Sequence, residues 1–268
     1  MKKFKPSARQ AEILSMVEQD GFVATEAMVA TFDVTPQTIR RDLNELNTHG
    51  LLTRFHGGAG QSRSVQNHPY AHRRQTGVDA KRKIAEATAA LIPNGASLFL
   101  NIGTTTEAVA EALLAHENLH VVTNNINVAQ ILSRNASFKI MIAGGEVRNH
   151  DGGITGVAST DFVRQFRMDI GVVGIGGINE DGSLLDFEYE EVRTAQMILE
   201  NSRKTILVAD QHKFGRRAMA RMGHISDLDS LVTDAPLKKH YATLCEEADV
   251  SVHIAGRHVD EQPADKQN

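Results

Sequence analysis

The 268-residue chain has no tryptophan, only 5% aromatic residues and a single cysteine, Cys245. One cysteine excludes an intrachain disulfide framework and fits a reducing compartment. No stretch approaches the roughly 18 uncharged apolar residues that a membrane-spanning helix requires. The opening Met1-Lys2-Lys3-Phe4-Lys5-Pro6-Ser7 is basic but lacks the apolar run of a signal peptide. The expectation is a soluble, cytoplasmic protein without contact to a membrane. A Gly-x-Gly-x-x-Gly opening a helix and a Walker loop are both missing, which argues against dinucleotide and ATP cofactors. The 12 histidines are scattered, and no Ser-His-Asp, Cys-His or zinc-binding spacing occurs. His68 and His72 stand at metal-compatible spacing but no third ligand lies near them in sequence. No metal, no cofactor and no catalytic residue is therefore expected.

What is present divides unevenly. Apolar residues make up 41% of the chain, enough for a real core, and the length suits two unequal domains. The net charge of −4 conceals an asymmetry: residues 1–83 hold 13 Lys and Arg against 8 Asp and Glu, while the remainder is acidic. One segment is suited to a polyanion and the other to something else. Residues 1–60 alone are balanced at 7 and 7, so the placement of the charges has to carry the argument.

Residues 1–59 read as three short helices and a hairpin. Ser7 caps a first helix with Ile13, Leu14 and Val17 on one face, and Gly21 ends it. Thr25 caps a second, amphipathic through Ala27, Met28, Val29 and Phe32. Thr35 caps a third, with Pro36 at the first helical position, where its missing N–H costs nothing. At about 100° per residue, Ile39, Leu43 and Leu46 of this third helix share one inward arc. Gln37, Arg41, Asn44 and Thr48 fall opposite, flanked by Thr38 and Arg40, while Asp42 turns inward and Glu45 lies at the margin. Gln and Asn can pair with adenine, and Arg with guanine, at major-groove edges. Arg40, to one side, suits a phosphate, which positions without specifying. Polar opposite apolar also describes any solvated surface helix. The following segment, 50–59, reads as a strand, a glycine turn and a return: a wing that carries Arg54 and His56. Residues 60–75 are polar and hold Arg63, Arg73 and Arg74 with no acid, as a linker lying along DNA phosphates would.

Thr-Ile-Arg-Arg-Asp-Leu at 38–43 and Gly-Leu-Leu-Thr-Arg-Phe-His-Gly-Gly-Ala at 50–59 resemble the signature of the DeoR family of sugar-catabolism repressors almost without departure. The resemblance implies a winged helix-turn-helix that binds double-stranded operator DNA. Thr35, Gln37, Thr38, Arg40, Arg41, Asn44, Arg54 and His56 are the residues it places there.

From 76 to 256, strand-like segments at 97–102, 119–122, 139–143, 168–173, 205–209, 230–232 and 250–254 alternate with helix-like ones at 81–91, 105–114, 126–132 and 190–201. The fold class is α/β, with an open, mainly parallel sheet wrapped by helices. Ligands in such folds sit beyond the carboxyl ends of the strands. The loops at those ends hold Asn101, Gly103, Thr104, Thr105 and Thr106; Thr123 and Asn124; Gly144, Gly145 and Arg148; Gly176; and Lys213. The first joins a strand to a helix N-terminus, where glycine lets the backbone approach and the dipole favours an anion. Such turns also use Gly, Thr and Asn merely to cap helices. In Lys81-Arg82-Lys83 the charges read as solvating a helix. Residues 257–268 read as a disordered tail.

Further segments resemble the sugar-phosphate sensor of the same family, among them Ile-Gly-Thr-Thr at 102–105, Val-Thr-Asn-Asn at 122–125, Ala-Gly-Gly-Glu at 143–146, Asp-Gly-Gly-Ile at 151–154 and Lys-Phe-Gly-Arg at 213–216. That resemblance implies a fold related to phosphosugar isomerases and coenzyme A transferases. It implies a phosphorylated effector, glycerol 3-phosphate ahead of other sugar phosphates, that releases a homodimer or homotetramer from its operator. The family usually has Asp where this chain has Asn101. An activator, or a repressor answering another sugar phosphate, is the alternative within the family. A phosphosugar isomerase is the alternative outside it, but isomerase relatives carry an Asp-Glu pair where this chain reads Gly176-Gly177.

Overall fold

Ser7 and Gln10 start the first helix by capping each other. The Gln10 N–H donates to Ser7 Oγ at 3.2 Å, and the Ser7 N–H donates to Gln10 Oε1 at 2.9 Å. The computed structural model describes residues 4, 6–20, 22–49, 51–55, 57–61, 67 and 70–256. His56, Arg63, His68 and the tail at 257–268 lie outside the described residues. Helix α1 (Ala8–Asp20) is followed by β1 (Phe22–Ala24), α2 (Thr25–Phe32), α3 (Pro36–Thr48), β2 (Leu52–Phe55) and β3 (Gly58–Gln61). The strands form an antiparallel sheet in the order β1-β3-β2. Phe55 pairs with Gly58, which leaves a two-residue turn, and Gly57 supplies the positive φ of 86° that it needs. The core is Ile13, Val17, Met28, Ile39, Leu43, Leu46 and Leu52, which joins the inward arcs of α1, α2 and α3 to the wing. Thr25 is not the cap of α2. Ala24 holds that position, and Thr25 is the first helical residue, its N–H donating to Gly57 O at 2.7 Å.

The chain divides into two compact units between His72 and Arg73. The division falls inside a short helix, α4 (Tyr70–Gln75), that has no sequence period to announce it. The second unit continues with α5 (Val78–Ala90), β4 (Ser97–Leu100), α6 (Thr104–Ala112), β5 (His120–Thr123), α7 (Ile126–Leu132) and β6 (Lys139–Ile142). A hairpin of β7 (Glu146–Val147) and β8 (Ile154–Thr155) leads to α8 (Val157–Val163), β9 (Met168–Gly174), β10 (Gly177–Ile178), β11 (Ser183–Asp186) and α9 (Tyr189–Glu200). The last elements are β12 (Ser202–Val208), β13 (Ala220–His224), β14 (Ser230–Thr233), α10 (Lys239–Glu247) and β15 (Ser251–Ile254).

Seven of these strands make one sheet, every neighbour parallel, in the order β15-β14-β12-β9-β4-β5-β6. Both faces are covered, so successive strand residues are apolar on both sides. Leu98 and Leu100 pack with α5, α6 and α7, while Phe99 between them packs with α8, α9 and α10. The chain leaves β4 toward β5 and β6, then returns to β9 and proceeds toward β15. The connections therefore diverge between β4 and β9, and this switch point opens a crevice at the carboxyl ends of the strands. A small antiparallel sheet, β10-β11-β13, lies in the segments that follow β9 and β12. Among the described residues no helix is long and apolar enough to cross a membrane, and no group of three His, Cys, Asp or Glu is placed to hold a metal ion.

Candidate functional site

Two surfaces collect the residues singled out from the sequence. On the first, Thr35 caps α3 by accepting the Thr38 N–H at 3.3 Å. Ile39, Leu43 and Leu46 are buried, while Gln37, Arg40, Arg41, Asn44 and Thr48 are exposed and Thr38 is half-buried. Asp42 turns inward and accepts from Arg9 Nε at 2.6 Å and from Gln10 Nε2 at 3.4 Å. Glu45 accepts from the same Gln10 amide at 2.8 Å. Both carboxylates of the helix are thus anchored to α1, and its outer face presents only cations and neutral polar groups. Arg40 and Arg41 form no ion pair among the described residues.

The contact between wing and helix has no local sequence signal. Arg54 Nη1 donates to Asn44 Oδ1 at 2.5 Å, and the Arg54 N–H donates to Asn47 Oδ1 at 3.0 Å. To meet a phosphate, as the sequence predicts, Arg54 would have to leave Asn44, whereas the Asn44 carbonyl has two lone pairs and could accept from an adenine amino group in either state. A salt titration tests the phosphate half of this picture. Log operator affinity should fall linearly with log salt, and the slope should shrink by about one unit for each of Arg40→Ala and Arg54→Ala. A slope unmoved by the double substitution would remove both residues from the backbone.

The second surface is the crevice at the switch point. Asn101, immediately after β4, is buried and acts as a side-chain peptide group that ties β4 to β9. Its Oδ1 accepts the Gly174 N–H at 2.9 Å, and its Nδ2 donates to Gly174 O at 3.3 Å. An aspartate can only accept when ionised, so Asn101→Asp would set a carboxylate oxygen against a buried carbonyl. The expected cost is about 1–3 kcal/mol of stability at neutral pH. Such a carboxyl has its folded pKa raised, so the loss is complete above that pKa and is relieved as pH falls through it and the acid can donate. Urea melts of both proteins at pH 7.5 and pH 5 check this; an equal difference at the two pH values would contradict it.

The loop after Asn101 divides by function. Thr106 Oγ1 is spent inside it, donating within reach of Asn101 O and Gly103 O, both at 2.8 Å. Among the described residues the hydroxyls of Thr104 and Thr105 have no hydrogen-bond partner, and no backbone acceptor takes the amide hydrogens of residues 103–106. Thr123 Oγ1 donates to Leu100 O at 2.7 Å and accepts from the Asn125 N–H, which fixes the next loop. Asn124 is different: its Nδ2 donates to Ile154 O at 3.1 Å, but its buried Oδ1 has no partner. Gly144 and Gly145 are exposed at the start of the β7 hairpin. Arg148 is already held by two carboxylates, in a fork on Asp151 at 3.1 and 2.7 Å and against Glu191 at 2.9 Å.

Lys213 lies half-buried in the turn after β12, and among the described residues its ammonium has no hydrogen bond and no ion pair. Burial and the neighbouring Arg216 charge push it down to about 8. Arg216 sits 4.6 Å from the Phe187 ring centroid, donates to Gly176 O at 3.2 Å and is itself pushed down to about 10 by burial. The crowding at this wall is severe. A Cβ on Gly176 would fall 2.7 Å from Asp186 Oδ1, and one on Gly177 would fall 2.1 Å from Arg216 O. The carboxylate pair that an isomerase would need at these two positions has no room.

Arg73, Asp186, Glu191 and Arg216 were not legible as site residues. Only Arg216 left a trace, three residues beyond Lys213 in the same turn. Arg73, expected along DNA, instead pairs with Asp151 at 3.6 Å within the second unit. Lys81 does not solvate its helix; it is buried and donates to Arg73 O, while Arg82 and Lys83 pair with Asp79 at the surface.

A family model described as the DeoR C terminal sensor domain matches residues 76–235, and one described as the DeoR-like helix-turn-helix domain matches residues 9–65. The glycerol-3-phosphate regulon repressor of Escherichia coli (strain K12) is 53% identical over 232 residues, covering 87% of this chain and 92% of that protein. The protein of the same description from Haemophilus influenzae is 52% identical over 233 residues, covering 87% and 91%. Among solved structures, ribose 5-phosphate isomerase A from Methanocaldococcus jannaschii is similar at a TM-score of 0.39 and 12% identity, over 52% of this chain and 55% of that one.

Proposed function

This chain belongs to the DeoR family, and from that premise we propose that it is a cytoplasmic transcriptional repressor of a glycerol or related carbohydrate operon, released from DNA by glycerol 3-phosphate. Arg41, Gln37 and Asn44 read the major groove, Thr35 and Thr38 set the helix start on the backbone, and Arg40, Arg54 and His56 meet phosphates. Paired operator half-sites match a homodimer or homotetramer.

The observation that carries the effector reading is Lys213, a half-buried ammonium at the carboxyl end of the sheet with no hydrogen bond and no ion pair among the described residues. A half-buried charge is costly unless it is paired, and the open amides of residues 103–106 lie at the head of a helix two strands away, at the same end of the sheet. A phosphate supplies the missing charge to both. Asn101, Thr106, Thr123, Gly144, Gly145, Arg148 and Gly176 shape and hold the loops, while Gly103, Thr104, Thr105, Asn124 and Lys213 face the ligand. The crowding at Gly176 and Gly177 favours a sensor over an isomerase, because it leaves no place for a general base there. A thermal-shift screen of phosphorylated polyols and sugars tests this reading, since a ligand that binds only the folded state raises its stability. Glycerol 3-phosphate should raise the melting temperature and glycerol at the same concentration should not; equal shifts would overturn the phosphate site.

A further inference from the structure

Resting on that reading, we infer that Asp186 is the residue that recognises a hydroxyl group of the effector, so that the site takes polyol phosphates and discriminates against phosphates without a hydroxyl. Asp186 ends β11 and is only 8% exposed. Its Oδ1 accepts the Phe187 N–H at 2.7 Å, and this is the one hydrogen bond its carboxylate makes among the described residues. It forms no ion pair there either. Burial raises its pKa, and the Phe187 N–H and the charges of Lys213, Arg73 and Arg216 act against that rise. When ionised, the Asp186 carboxylate and the Lys213 ammonium are opposite charges close enough to act on each other, and no ion pair joins them among the described residues.

A folded chain gains by closing such a pair, because each unpaired buried charge costs more than it would in contact. The fold keeps them apart. Phe187 N–H fixes Asp186 from one side, and Gly176 and Phe187, with Arg216 stacked on the phenyl ring, wall it in on the other. A molecule bearing an anion at one end and a hydroxyl donor at the other satisfies both groups at once: the anion faces Lys213 and the hydroxyl donates to Asp186 Oδ2. A bare phosphate satisfies the lysine and repels the aspartate. Glu191 differs in that its charge is already paired, by Arg148 at 2.9 Å.

The test compares glycerol 3-phosphate with n-propyl phosphate, which keeps the chain and the anion but has no hydroxyl, by titration calorimetry on the full-length protein. The wild type should prefer glycerol 3-phosphate by about ten- to a hundredfold, the worth of a hydrogen bond to a charged group. In Asp186→Ala the preference should fall to about twofold or less, and n-propyl phosphate should bind as tightly as to wild type or more tightly, because a repelling charge has gone. A merely structural aspartate would weaken both ligands together, and that result overturns the inference. Asp186→Asn, nearly identical in shape, serves if the alanine protein does not fold. It should still tighten n-propyl phosphate and lower the preference, and an unchanged ratio with unchanged n-propyl phosphate affinity counts against Asp186. If the wild type binds both ligands equally, the phosphate site stands and the role of Asp186 does not. If it binds neither, the effector reading itself fails.

Discussion

Replacing Lys213 with glutamine should give a protein that holds its operator but needs about ten- to a hundredfold more glycerol 3-phosphate to release it. The charge-assisted contact of an ammonium with a phosphate is worth about 1.5–3 kcal/mol, and the neighbouring cations among the described residues are already engaged, Arg73 by Asp151. Arg148 is held by Asp151 and Glu191, and Arg216 is held against Phe187 and Gly176 O. The same residue predicts a pH dependence. Burial lowers its pKa to about 8, and the phosphate prefers the protonated form. Wild-type effector affinity should therefore hold below pH 8 and fall by up to about tenfold per unit above it, while the glutamine variant should show no fall there. Operator binding followed by fluorescence anisotropy, with effector titrated at pH 7 and pH 9, checks both statements. A variant that releases DNA at the wild-type effector concentration would remove Lys213 from the site.

Arg41→Ala should weaken operator binding by about tenfold or more while leaving effector binding and the melting temperature unchanged. Arg41 is exposed on α3 and makes no side-chain hydrogen bond or ion pair among the described residues, so its removal should cost the free protein little. The complex loses a side chain able to make a bidentate pair with guanine, worth about 1–3 kcal/mol. The penalty should disappear when the base pair it reads is changed, whereas loss of a phosphate contact would weaken all sequences alike. Affinity measured against a set of single-base operator variants separates the two. Wild-type affinity in the folded Arg41→Ala protein would contradict the assignment of α3 as the reading helix.

The third helix, with its outward Arg41, and the strand-end loops were legible because local chemistry decides them. Thr35 and Pro36 are a cap and a first helical position wherever they occur together, and the 3.6-residue period of Ile39, Leu43 and Leu46 places Arg41 outward without tertiary information. Thr25 misled because its N–H is claimed by Gly57, a partner thirty-two positions away, and long-range pairing overrides a local capping preference. The wall of Asp186, Phe187, Gly176 and Arg216 was invisible for the same reason, since β10, β11 and β13 are too short to show a period and meet only through the topology. A cation in a sequence also does not declare its partner. Arg148 reads as a ligand group until Asp151 and Glu191 are found on it, and Lys81 reads as solvated until it turns out to be buried against the Arg73 carbonyl.

A phosphate in the crevice of the second unit should lower the affinity of the first unit for DNA. Full-length protein bound to labelled operator should be titrated in parallel with glycerol 3-phosphate and with glycerol, with operator affinity read by fluorescence anisotropy at fixed salt. A coupling of about 1–3 kcal/mol predicts that saturating glycerol 3-phosphate weakens operator binding by about five- to 150-fold. By reciprocity, operator should weaken glycerol 3-phosphate binding by the same factor, and glycerol should do neither. Operator affinity unchanged at saturating glycerol 3-phosphate, or lowered equally by glycerol, would contradict the account.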